Sequence, residues 1–238
     1  APLWAALPVA AVLAGLINVI AYFVFVRQLL KRRHTQLAAF ISSLGALMVL
    51  EEVASKILGG MVERIPREAY PVQSLQVGSL QFNTLDITIV VLTVSLMLIL
   101  AWLVHRTEWG REVRAVAFNR DVAALLGTNV DKVSVGLFFL SGALGGVSAV
   151  LVAMAFNVIS SHLGGTYLVI AIAAMVVGGF GSVMGVALGG LIIGLASTYA
   201  VAYIDTSYRD LVVFLFLLLF LVVRPSGLLK TSNDLERV

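Results

Sequence analysis

Two adjacent acids, Glu51 and Glu52, are the clearest candidates for chemistry, because they fall inside a predicted apolar helix. Acids placed within a membrane are energetically costly and by default serve a substrate, ion or proton pathway. Lys56 follows Glu52 by four residues, so a structural ion pair along one helix is the alternative. The residues alone leave both interpretations open. Asp86, near the end of another apolar run, is typical of an acid at the start of a helix.

Other polar groups do not form a recognisable reactive set. Ser160, Ser161 and His162 are adjacent, but no acid lies near them in sequence and no nucleophile-elbow motif is present. No two histidines have metal-ligand spacing. The glycine-rich run at 178–182 lacks the Gly-Lys-Ser/Thr ending of a phosphate-binding loop. We therefore predict no catalytic residue, no metal and no cofactor on this chain, and hence no enzyme.

The elements that position these residues are predicted to cross a membrane. The chain has 238 residues, of which 60% are hydrophobic and 12% charged, whereas a soluble domain carries about 25% charged residues. The composition predicts an all-α, polytopic transmembrane helical bundle forming one domain over 1–238. Apolar runs predict spans at about 8–26, 37–58, 85–104, 133–156, 165–180, 183–202 and 211–223. The run at 167–177 is short, so it must extend into its flanks or re-enter the membrane.

The distribution of Lys and Arg predicts the orientation. Seven crossings place the basic residues of 27–33, 106–132 and 224–238 on the cytoplasmic side, as the positive-inside rule requires. The segment 106–132 is then a long cytoplasmic loop. The same parity places residue 1 outside the cytoplasm, which predicts that at least one helix precedes this chain in the native protein.

Glycines spaced four residues apart recur on the later predicted helices. Such spacing lines one helix face with small residues and lets two backbones approach closely in lipid. We predict helix packing at these positions, with a backbone-lined pore as the alternative: Gly142 and Gly146; Gly181, Gly185 and Gly189; Gly190 and Gly194.

The cytoplasmic loop reads as two short helices, 110–118 and 120–126. Asn119 is a predicted N-cap of the second helix and Gly127 its predicted stop. One face of the second helix is apolar, with Val122, Leu125 and Leu126, while arginines supply charge elsewhere. This pattern fits a helix lying on the membrane surface and a helix docking onto a protein equally well.

The sequence of this loop also resembles that of a known protein family, which favours docking onto a protein over lying on the membrane surface. The run T-E-W-G-R-E-V-R-A-V-A-F-N-R-D-V-A-A-L-L-G-T-N-V-D-K-V at 107–133 closely resembles the cytoplasmic loop of branched-chain amino acid ABC transporter permeases. The small-residue run at 141–146, the glycine pattern at 178–190 and the closing R-P-x-G-L at 224–228 resemble the same family. The family's usual first helices and an Asn-Phe-x-His-Gly type motif have no counterpart here.

The resemblance implies a high-affinity importer for branched-chain or other small amino acids in the prokaryotic inner membrane. This chain would form half of the pathway with a second permease, in a homodimer or a heterodimer. Two cytoplasmic ATPases would bind ATP and Mg²⁺, and an extracytoplasmic binding protein would deliver substrate. A coupling helix in the loop would transmit ATPase closure. The residues that match this element are Gly110, Arg111, Arg114, Asn119, Arg120, Ala124 and Gly127.

Two other functions remain as alternatives. An ion-coupled secondary transporter would use Glu51 or Glu52 as the carrier acid. An ABC permease of the same architecture would instead carry urea or short amides.

Overall fold

A computed structural model of the chain describes residues 3–31, 36–59, 74–77, 80–179, 181–203, 205, 208–223 and 227–228. These residues form ten α-helices, one π-helical segment and one β-hairpin. In chain order they are α1 (Leu3–Ala21), the π segment (Tyr22–Val26), α2 (Arg27–Lys31), α3 (Gln36–Leu58), β1 (Ser74–Val77), β2 (Leu80–Asn83), α4 (Thr84–Arg106), α5 (Glu108–Phe118), α6 (Arg120–Leu125), α7 (Val130–Phe156), α8 (Leu163–Gly178), α9 (Val183–Tyr203) and α10 (Arg209–Val223).

Long apolar helices dominate this architecture. Four helical stretches of the described residues are long and apolar enough to cross a membrane: Ala5–Leu29, Thr84–Arg106, Val130–Phe156 and Val183–Tyr203. Leu163–Gly178 and Leu211–Val223 are shorter apolar helices. The prediction of an all-α transmembrane bundle is confirmed, and each predicted span coincides with a helix. The number of crossings and their orientation stay predictions.

The short apolar run at 167–177 extends at its N-terminal end. Its helix, α8, has 16 residues, or about 24 Å at 1.5 Å per residue. Gly179 follows with a φ of 101°, a left-handed conformation that ends the helix without strain because glycine has no side chain.

The described residues form two compact units, one within Ala1–Leu96 and Trp102–Gly164, the other within Met97–Ala101 and Gly165–Val238. In the first unit, α1 lies along α7. A Cβ added to Gly142 would lie 2.6 Å from the carbonyl oxygen of Ala14, and one added to Gly146 would lie 2.5 Å from that of Ala10. The two backbones therefore touch at glycines, as their spacing predicted.

In the second unit, α8, α9 and α10 share a core of Ala173, Val177, Ile193 and Val213. Two glycines of the predicted set differ in their packing there. A Cβ on Gly189 would overlap the Ala174 carbonyl oxygen, whereas one on Gly194 would meet none of the described atoms within 4 Å.

Two further glycines of the set lie on the side of α9 that faces α8. Gly185 lies against Gly178, and Gly190 is 3.9 Å from the Ala174 side chain. Gly181 lies in the turn before α9 with a φ of 88°. The expectation that Gly181 belongs to a helix face is therefore wrong, because its conformation is left-handed and not helical.

The predicted external loop at 59–84 contains the one sheet of the described residues. β1 and β2 pair antiparallel, with Leu75 opposite Phe82. Residues 60–73 of that loop lie outside the described residues, as do Arg32, Arg33 and Arg224 of the predicted basic clusters.

Candidate functional site

The loop between α4 and α7 begins with a bend at Thr107. The Thr107 hydroxyl accepts a hydrogen bond of 3.0 Å from the Gly110 N–H and so caps α5. Gly110 is buried against the last turn of α4, where an added Cβ would lie 2.5 Å from the Leu103 carbonyl oxygen. Gly110 is therefore needed for close approach of two helix ends, a role that its motif position did not reveal.

Asn119 and Gly127 bound α6 as predicted. The Asn119 side-chain oxygen accepts hydrogen bonds from the N–H groups of Asp121 and Val122, at 3.0 and 3.1 Å. Gly127 has a φ of 90°. Its N–H donates to the Ala124 carbonyl, and the N–H of the next residue, Thr128, donates to the carbonyl of Ala123. This pair of bonds is a Schellman motif, so both ends of a six-residue helix are fixed.

One face of α6 anchors the loop to α7. Ala123 is 2% exposed and packs in a small core with Val116 of α5 and Val133 of α7. The Arg120 guanidinium donates a hydrogen bond of 3.1 Å to the Ser134 hydroxyl. The loop is therefore attached to the first turns of α7 by apolar packing and by a polar contact.

The opposite face of the loop is apolar and unusually exposed. Leu125 and Leu126 are 87% and 80% exposed, and Val122 and Phe118 are 48% and 72% exposed. We call Val122, Leu125 and Leu126 the apolar face of α6. Sequence reasoning identified these three residues and missed Phe118, the last residue of α5, which is also exposed. Exposed large apolar clusters mark surfaces that bind a protein or a membrane.

The arginines of the loop mostly make contacts within the chain. Arg114 donates to the carbonyl of Val104 at the end of α4, and Arg111 pairs with Glu108 at 3.0 Å. Ala124 is exposed on α6. The predicted coupling residues are thus brought together in one helical loop, in which Arg114 and Arg120 also contact the helices on either side.

The two adjacent acids of α3 have separate environments. Glu52 lies 3.6 Å from Lys56, and both side chains are mostly exposed. Glu51 is half-buried, with its carboxylate facing Gly164 at the start of α8. Within the described part of the chain, no three side chains are grouped as a metal site would require. Asp86 lies in the first turn of α4, which Asn83 caps.

Residues 1–223 match the family described as branched-chain amino acid transport system, permease component. The chain belongs to this family. It is similar to the high-affinity branched-chain amino acid permease LivH of Salmonella typhimurium, with 33% identity over 210 residues, covering 87% of this chain and 68% of LivH. The permease BraD of Pseudomonas aeruginosa is 35% identical over 148 residues, covering 62% of this chain and 48% of BraD.

A sugar transporter is also similar over a shorter stretch. The fructose import permease FrcC of Rhizobium meliloti is 32% identical over 113 residues, covering 45% of this chain and 31% of FrcC. No solved structure matches the chain.

Family membership confirms the resemblance from which the transport function was inferred. The chain is a multi-pass permease of the prokaryotic cell membrane and a transport subunit, not an enzyme. In importers of this kind ATP is hydrolysed by a separate component.

Proposed function

We propose that this chain forms half of the translocation pathway of an importer for branched-chain amino acids, and that α6 is its coupling helix. The apolar face of α6, held out on an anchored loop, is the observation that carries the proposal. ATP and Mg²⁺ bind to two cytoplasmic ATPases, which dock on this chain and on a second permease. A separate extracytoplasmic protein delivers the substrate.

Docking through this face has a clear physical basis. Burying a leucine side chain stabilises a complex by about 1.5–3 kcal/mol, and both Leu125 and Leu126 are almost fully exposed. The capped and anchored helix loses little conformational freedom on binding, so most of that energy contributes to association. Such a helix also transmits movement, because neither end can unwind easily.

If α6 docks onto the ATPase, substitutions in its apolar face should weaken binding of the ATPase to the permease. Replacing Leu125 and Leu126 together by Asp should weaken co-purification of the cognate ATPase by about a hundredfold or more. Phe156→Asp is the matched control, because Phe156 is also a large exposed apolar residue but lies at the other end of α7. If α6 lies on lipid instead, the double variant will retain the ATPase as well as the control does.

The absence of cysteine from the sequence allows a direct test of proximity. Leu125→Cys should form a cross-link to the ATPase with a short bifunctional reagent, while Phe156→Cys should not. A cross-link to lipid or to the permease alone would argue against docking.

The substrate is assigned from LivH and BraD, whose names state branched-chain amino acid transport. Proteoliposomes holding the permease pair, the ATPases and the binding protein should take up leucine only with ATP inside. Uptake of urea or a short amide in preference to leucine would reassign the substrate. Leucine uptake that persists without the ATPase and collapses with a protonophore would instead indicate ion coupling through Glu51 or Glu52.

A further inference from the structure

The continuous helix formed by α1, the π segment and α2 makes three successive contacts with α7, the last of them near the loop between α4 and α7. The Asn18 amide donates a hydrogen bond of 2.8 Å to the Phe138 carbonyl. The rings of Tyr22 and Phe138 lie 4.7 Å apart. An Nη of Arg27 lies 3.0 Å from a carboxylate oxygen of Asp131. The Arg27–Asp131 pair therefore extends the α1–α7 contact to the first turn of α7.

The π segment is what brings Arg27 to this side of the helix. Asn18 and Tyr22 are four residues apart and share a face of an α-helix, but Arg27 follows Tyr22 by five residues. Five residues of α-helix would rotate Arg27 by about 140° away from Tyr22. In the structure the Arg27 N–H donates to the Tyr22 carbonyl, a π-type bond in which residues five apart stack. The wider turn thus aligns Arg27 with Asp131.

Asp131 belongs to the part of α7 to which α6 is attached. The Asn129 side chain caps this first turn by accepting a bond of 3.1 Å from the Lys132 N–H. One helical turn further on, Ser134 accepts the hydrogen bond from Arg120 of α6. A displacement of α6 therefore moves Asp131 with it.

The space around Arg27 leaves room for such movement. A cavity of about 290 Å³ is lined by Tyr22, Arg27, Arg120, Asp121 and Asp131 among others. The Nε of Arg27 is buried without a hydrogen-bond partner among the described residues. An arginine binds a carboxylate most strongly through two parallel hydrogen bonds, whereas one hydrogen bond of 3.0 Å joins Arg27 to Asp131. The guanidinium carbon of Arg27 also lies 5.2 Å from the centroid of the Phe23 ring.

We propose that Arg27 is a positioning residue for coupling: through Asp131 it passes movement of α6 to α1. This inference rests on the proposed function, since it requires α6 to receive movement from an ATPase. In this role Arg27 contacts neither the ATPase nor the substrate. Its effect is exerted through the salt bridge and the π segment that aligns it.

The test uses the complete importer in proteoliposomes and compares leucine uptake with ATP hydrolysis. Arg27→Gln should leave the ATPase bound and hydrolysing ATP, while uptake per ATP falls by at least about fivefold, the low end of coupling between sites. Gln28→Glu is the control, because Gln28 is adjacent and exposed. It should retain the native ratio. A purely structural role would lower assembly and both activities together.

Exchange of the charges tests the pair itself. Asp131→Arg alone should uncouple transport, and combining it with Arg27→Glu should restore uptake per ATP to within about threefold of the native importer. Full coupling in Arg27→Gln, or no recovery in the exchanged variant, would overturn the inference. Failure of Arg27→Gln to assemble, with full coupling in the exchanged variant, would still support it.

The two proposals fail in different ways. ATPase binding that survives Leu125→Asp with Leu126→Asp overturns the docking role of α6. ATPase binding that is lost in that variant, with full coupling in Arg27→Gln, overturns only the role of Arg27.

Discussion

Replacing Gly146 by alanine should leave the chain less stable than the same change at its neighbour Gly145. An added Cβ at Gly146 would lie 2.5 Å from the Ala10 carbonyl oxygen and 2.7 Å from the Ala14 Cβ. Optimal separations are about 3.5–4.0 Å, so α1 and α7 would have to move apart by about 1 Å. At Gly145, an added Cβ would meet no described atom within 4 Å.

The difference between the two variants isolates the packing effect. Both changes remove a helical glycine, which favours the helix by about 1 kcal/mol in each case. Overpacking a close contact costs about 1–3 kcal/mol, and this cost applies only at Gly146. We therefore expect Gly145→Ala to be neutral or stabilising and Gly146→Ala to be less stable than it by about 1–3 kcal/mol.

Reversible unfolding of the detergent-solubilised chain by sodium dodecyl sulfate, followed by circular dichroism, measures this difference. Using the isolated chain removes any contribution from partner subunits. Equal unfolding free energies for the two variants, within about 0.5 kcal/mol, would refute the close packing of α7 on α1 at this glycine.

Two further substitutions test the loop. Gly110→Ala should loosen the α4–α5 turn, since its Cβ would lie 2.5 Å from the Leu103 carbonyl oxygen, and limited proteolysis should then cut the loop faster than in the native chain. Asn119→Ala should destabilise α6 by about 1 kcal/mol through loss of its cap, and faster hydrogen exchange in α6 should report it.

Local signals predicted the loop well. Asn119 and Gly127 were identified as the ends of α6 because capping and left-handed termination depend on residue type at one position. The four-residue glycine spacing at Gly142 and Gly146 predicted a close helix contact for a similar reason. What it could not predict was the partner, because spacing on one helix carries no information about which other helix it meets.

The features that escaped prediction depend on contacts distant in sequence. The π segment has no sequence signal in Tyr22–Val26, because an apolar run fits an α-helix equally well. Arg27 lies 104 residues before Asp131. The positive-inside rule used Arg27 only to predict which side of the membrane its segment lies on. Its contact with α7 became visible only in three dimensions.

The arginines of the loop make contacts that their place in the family pattern did not reveal. Arg114 donates to a carbonyl near the end of α4, and Arg120 donates to the Ser134 hydroxyl of α7. The last carbonyls of a helix lack intrahelical partners, and a guanidinium is well suited to them. These contacts tie the loop to the helices on either side. Under the proposed function, the apolar face of α6 would bind the ATPase, while the arginine contacts would pass a force on α6 to those helices.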